Sequence, residues 1–201
     1  MIGSRCIAFL MLASISHVIP QPDSRSSLYY PLVQTEASAP CDLKSLPPDI
    51  QNTLKRDFGT WIIQKPDGLT ARARSTWEAR KPESCPGMVM GMFDSMKVPS
   101  YALLLVPSNP AGAGYKFVVF SRSKDQPSYR MTTVAESSNH GASSDFIRKV
   151  SISDFFNEES KKKFRVQATD GILVVHSSEQ EYEADLYYWS DGQFRREPVD
   201  D

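Results

Sequence analysis

Hydrophobic spacing changes character along the chain. From Pro47 and Pro48 onward, Ile50, Leu54 and Phe58 recur every four residues until Gly59, the period of an amphipathic helix whose first turn tolerates proline. A second helix is predicted from Thr70, an N-cap residue, with Leu69, Ala73 and Trp77 on one side and Pro82 as its stop. Beyond Cys85 the texture is that of strands between turn residues: 88–93, the near-continuous apolar run Tyr101 to Val106, 115–120 and the more alternating 129–134. The apolar run reads as a central strand covered on both faces, one of them by the helices. Residues 150–156 fit a short strand or a short helix equally well. Further on, 164–168 and 172–175 are expected to form a hairpin through Asp170-Gly171, and 185–189 and 193–195 a second one through Ser190-Asp191-Gly192. Two N-terminal helices packed on a mostly antiparallel β-sheet, an α+β class, is the predicted architecture.

The first 40 residues follow neither pattern. Arg5 precedes an apolar stretch from Cys6 to Ala13, and Ser14 and Ser16 supply small residues for cleavage, so 1–16 reads as a signal peptide. The stretch falls short of the about 20 apolar residues that span a bilayer, and no membrane insertion is expected after cleavage. Residues 17–40, rich in Ser and Pro, read as a flexible lead-in, and 41–201 as a single α+β domain.

The expected export gives meaning to the cysteines. Once Cys6 leaves with the leader, Cys41 and Cys85 remain as an even pair in an oxidising compartment, where a disulfide is the default. Closing a loop of that length stabilises by roughly 4 kcal/mol on the chain-entropy model. No Cys-x-x-Cys is present, and Cys85 precedes Pro86, which argues against thiol catalysis.

Charge and candidate chemistry narrow the function. The formal net charge of the 201 residues is −1, without the basic excess that nucleic acid selects, and Lys161-Lys162-Lys163 follows Glu158 and Glu159 as a solvated segment would. The histidines have neither a His-x-x-x-His pair nor an EF-hand arrangement of acids near them, so no metal or other cofactor is expected. His140, beside Ser143, Ser144 and Asp145, and His176, closing an apolar strand, leave a secreted hydrolase as the alternative function. The loop Ser108 to Gly114 needs permissive backbone angles. Followed by Tyr115-Lys116, it is similar to the Ser/Gly-rich loop with which small periplasmic lysozyme inhibitors plug their target, although it lacks the serines of that motif. The similarity implies a partner-binding role for Gly112, Gly114 and Tyr115. In Tyr187-Tyr188-Trp189, Tyr187 and Trp189 share one face, and an exposed pair there would hold a glycan or a protein partner.

The leader, the Cys41/Cys85 pair, Leu46-Pro47-Pro48, the run Tyr101 to Pro107 and Leu186-Tyr187-Tyr188-Trp189 before Asp191-Gly192 together resemble a family of small uncharacterised exported bacterial proteins. The resemblance implies a bacterial envelope setting and supplies no activity. The expected function is that of a periplasmic or secreted, soluble, non-catalytic protein that binds another protein.

Overall fold

The structure is a computed structural model, and it describes residues 41–79, 85–94, 98–109, 114–138, 142–178 and 182–199. Five strands form the first sheet: β1 (Trp61–Ile63), β2 (Met88–Gly91), β3 (Ser100–Pro107), β4 (Tyr115–Ser121) and β5 (Arg130–Ser137). The second contains β6 (Asp145–Ser151), β7 (Asp170–Ser177), β8 (Tyr182–Ser190) and β9 (Gln193–Val199), in sequence order. Every pairing is antiparallel. The helices are short: α1 (Pro48–Asp57), α2 (Ala71–Ala79) and α3 (Glu158–Lys163).

The expected α+β class, with two N-terminal helices on one sheet, is thereby corrected. Among the described residues nine strands in two sheets dominate, and α1 and α2, separated by β1, serve different cores instead of forming an N-terminal layer. Ile50, Leu54 and Phe58 of α1 and its end pack with Leu103, Leu105, Val118 and Phe120 on the outer face of the first sheet. Leu69, Ala73 and Trp77 pack with Leu173, Val175, Leu186 and Tyr188 on the outer face of the second. The inner faces meet each other through Phe93, Ala102, Leu104, Phe117 and Val119 against Ile147, Ile172, Val174 and Tyr187. The expected two-faced burial of β3 is present, and the face opposite α1 is covered by the second sheet. The same geometry explains why β8 reads Ala184 to Trp189 with so few polar residues. Its even positions lie under α2 and its odd ones point between the sheets.

The helix boundaries follow local chemistry. Pro48 opens α1, and Thr70 Oγ1 accepts from the Ala73 amide at the start of α2. Asp49 then anchors α1 to the chain entering β5, because its Oδ2 accepts from the Tyr129 amide at 2.8 Å. Between the sheets, the Ile147 amide donates to the Pro86 carbonyl, and Met92 and Asp170 exchange two bonds, fastening the β2 side of one sheet to the β6–β7 side of the other.

The predicted hairpin through Asp170-Gly171 does not form, since both residues begin β7, whose partners are β6 and β8. Residues 158–163 are helical instead, capped by Asn157, and Arg165 takes a positive φ of 49°, which breaks the extended run expected at 164–168. Residues 150–156 divide between the end of β6 and a 3₁₀ turn at Ile152–Asp154. The second hairpin stands as expected. Asp191 and Gly192, with φ of 50° and 78°, make the two-residue turn that matches strand twist.

Candidate functional site

Two places gather chemistry: a polar cluster between the sheets and a groove beside α1. The polar cluster follows from strand alternation. Period two along β6–β9 puts Asp145, His176, Asp185, Tyr187 and Arg196 on the inner face, where Tyr115 of β4 meets them from the other sheet. His176 is held on both sides, its Nδ1 at 3.0 Å from Asp145 Oδ1 and its Nε2 at 3.5 Å from Asp185 Oδ2. Arg196 Nε donates to the other Asp185 oxygen at 2.8 Å, and Ser144 Oγ donates to Asp145 Oδ1 at 2.8 Å. Asp145 is 1% exposed, and its Oδ2 finds no hydrogen-bond partner among the described residues.

The electrostatics follow from this geometry. The hydrogen bond that His176 donates to Asp145 is the largest influence on the ring and raises its pKa from the usual 6.5, against the opposing effect of burial and with further help from Asp185. Burial pushes the Tyr187 hydroxyl up to about 12 and raises Tyr115 as well, with the two aspartates adding to the Tyr115 shift. A general base must offer an unprotonated nitrogen to a nucleophile, and both His176 nitrogens face carboxylates. The arrangement is a charge clasp joining β6, β7 and β8, with Arg196 neutralising from β9.

The groove has a different character. About 370 Å³ in volume, it runs between α1, β1 and the start of the described chain, walled by Leu43, Leu54, Phe58, Trp61, Ile62 and Leu105. Ile62 is 44% exposed, the most among the exposed large hydrophobic side chains of the described residues. Lys55 and Lys65 line the groove, and neither forms an ion pair among the described residues; Asp42 also lines it, with Oδ1 accepting from the Lys44 amide. One end is pinned by the disulfide between Cys41 and Cys85, whose Cα atoms are 5.2 Å apart. Cys85 is buried among the residues under α1, so the bond ties the start of the described chain to that core.

The residues singled out in the sequence are scattered over these features. Cys41 and Cys85 are bonded as expected. Gly112 and His140 lie outside the described residues. Gly114 has φ of 101°, and a Cβ there would clash with the Ser137 carbonyl oxygen, so the position demands glycine. Tyr115 is half-buried beside the clasp. Tyr187 is buried against Phe117, and Trp189 stacks edge-on to Phe194 at 5.1 Å, so the exposed pair sought for a partner is not formed. Sequence reasoning missed Asp185, Arg196, Lys55, Ile62 and Lys65; Trp61-Ile62-Ile63, three strand-formers between Thr60 and Gln64, was the signal for β1.

Among the described residues no cluster of His, Cys, Asp and Glu is arranged to hold a metal ion, and no helix is long and apolar enough to cross a membrane. Comparison of the chain with protein-family models, with curated proteins and with solved structures finds no match.

Proposed function

We propose that this chain is an exported, non-catalytic binding protein that engages another protein, in the bacterial envelope or outside the cell, through the groove between α1 and β1. One observation carries the reading. An apolar trough lies beside Trp61 and Ile62, lined by Lys55 and Lys65, which form no ion pair among the described residues, and its volume of about 370 Å³ falls in the range of roughly 300–1,000 Å³ found for ligand clefts. A buried apolar centre with an aromatic anchor such as Trp61, ringed by a polar rim, is the usual anatomy of a protein interface. Export is supported by the leader-like residues 1–16 and by a disulfide that needs an oxidising compartment. The engagement of both His176 nitrogens weighs against the hydrolase alternative.

The test compares immobilised wild-type chain with the Ile62→Glu variant in capture from an envelope extract. Ile62 is exposed, so the substitution leaves the cores intact. A protein retained by the wild type and lost from the variant supports the reading. An identical set of captured proteins refutes it, and hydrolysis of a nitrophenyl ester that disappears in His176→Ala would replace it with the enzyme.

A further inference from the structure

One wall of the groove is a short irregular segment. Cys41, Asp42 and Leu43 line it, and the chain there enters a 3₁₀ turn, Leu43–Ser45. Short-range bonds shape that turn: the Ser45 amide and Oγ donate to the Asp42 carbonyl, the Leu46 amide to the Leu43 carbonyl and the Lys44 amide to Asp42 Oδ1. Attachments at both ends tie it to the fold. At the far end Leu46 is 3% exposed in the core under α1, and its carbonyl accepts from Gln51 Nε2 at 2.7 Å, with a longer contact of 3.5 Å from the same nitrogen to the Lys44 carbonyl. At the near end stands the disulfide to Cys85. The two sulfurs differ in what they meet. Cys41 is half-buried and Cys85 is 3% exposed, so an attacking thiolate reaches the Cys41 sulfur. Cys85 Sγ lies 3.6 Å from the Gln64 carbonyl oxygen. In the disulfide this sulfur carries no hydrogen to donate, whereas a thiol there would donate to that oxygen. The interior already offers a reduced Cys85 an acceptor, so reduction leaves the core side of the bond in place and frees the groove side.

We infer that the Cys41–Cys85 disulfide is a redox latch on the groove: the oxidised chain keeps residues 41–45 as a wall and binds its partner, and the reduced chain releases that wall and does not. This deepens the binding reading above and rests on it. The reductant is a dithiol, of a protein or a small molecule. One of its thiolates bonds to the Cys41 sulfur as the Cys41–Cys85 bond breaks, and the electron pair leaves on Cys85, which takes a proton from solvent. The second thiol of the reductant gives its proton to solvent, closes the reductant's own disulfide and expels Cys41 as a thiolate, which is protonated in turn. In net, two electrons and two protons pass from the dithiol to the chain. Freed at one end, the wall does not stay down. Fixing the backbone of each residue costs about as much free energy as a half-buried leucine returns, and residues 41–45 share the partly buried contacts of Cys41 and Leu43. A chain kept reduced before export therefore has no walled groove, and oxidation after export completes it.

The experiment reads the wall and the binding separately. Oxidised wild type, wild type reduced with dithiothreitol and then freed of it, and Cys41→Ser, which keeps the Cys85 thiol without a reductant, are digested briefly with trypsin. Cleavage after Lys44 is compared by mass spectrometry with cleavage after Lys116 and Lys149, which lie in the two sheets. Reduction and Cys41→Ser should each speed cleavage after Lys44 by about tenfold or more while the sheet sites keep their rates, and reoxidation of the wild type should restore the slow rate. Capture from an envelope extract is then run with wild type, Cys41→Ser and Ile62→Glu. A protein retained by the wild type and lost from both variants, together with faster cleavage confined to Lys44, supports the latch. Cleavage after Lys44 that stays unchanged, or that rises in step with Lys116 and Lys149 as global unfolding would make it, overturns the latch. A captured protein that Cys41→Ser keeps and Ile62→Glu loses also overturns it and leaves the binding reading standing. If Ile62→Glu loses nothing, the binding reading fails and the gating of binding falls with it, whatever happens at Lys44.

Discussion

The clasp around His176 can be separated from ordinary packing by its dependence on pH. Asp145→Asn keeps the shape of the side chain and removes its charge. Oδ1 would still accept from Ser144, so what is lost is the charge-assisted bond from the imidazolium, now 3.0 Å long. Such bonds contribute about 1.5–3 kcal/mol where a neutral pair contributes about half that. The sign follows from the raised pKa of His176. Its contribution to stability is complete below the unfolded value of 6.5 and is lost as pH rises through the higher folded value. Among the described residues, Asp185 on the other nitrogen, Arg196 behind it, Tyr115 and Tyr187 nearby, and Glu183 opposite His176 in the β7–β8 register are the titratable and charged groups that face the ring. Asp145→Asn should therefore cost about 2 kcal/mol near pH 5.5 and clearly less near pH 9, read as the difference in urea unfolding free energy between wild type and variant. A pH-independent part remains at both ends, since the buried Oδ2 position would become an amide nitrogen without a partner among the described residues. In a His176→Gln background the cost should lose its pH dependence. A cost that is flat with pH in the wild-type background would refute the clasp as a charged unit.

Replacing both Cys41 and Cys85 by alanine opens a loop whose ends are 44 residues apart, and on the chain-entropy relation the loss is about 4 kcal/mol, to be read from the urea midpoint. Phe117→Ala removes a fully buried ring that packs edge-on to Tyr187 at 5.2 Å in the core between the sheets; a loss of about 3–5 kcal/mol is expected, together with exposure of apolar surface to a hydrophobic dye. Gly114→Ala places a side chain at φ of 101° and against the Ser137 carbonyl, and should lower stability by about 1–3 kcal/mol in thermal unfolding, whereas the same change at Gly192, where a Cβ meets nothing, should cost about 1 kcal/mol from backbone strain alone.

Local signals and long-range choices divide this protein cleanly. Pro48, Thr70 and the Asp191-Gly192 turn act within a few residues of themselves, and each was legible in the chain because caps and tight turns are decided by neighbouring backbone. Cys41 and Cys85 could be paired by counting, since the chain offers them one partner each once Cys6 is set aside. An apolar run such as β3 announced burial on both faces but left open what would cover it, and the same period-two pattern is compatible with one sheet or two. Only the tertiary structure assigned α1 to one sheet and α2 to the other, and brought the inner faces together around Phe117 and Tyr187.

The candidate sites lie wholly on the second side of that division. His176 meets Asp145 and Asp185 from strands that lie 31 and 9 residues from it in sequence, and a register one residue different would have turned all three away from one another. The Asp170-Gly171 pair reads as a turn because those residues favour turns, yet the pairing of β7 with strands on both sides outweighs local preference and draws them into the sheet. The sequence by itself determined the helix starts and the Asp191-Gly192 turn, which residues seek the interior and which cysteines join. Which interior they seek, and hence the clasp and the groove beside α1, depended on contacts between segments far apart in the chain, whose energies no short window contains.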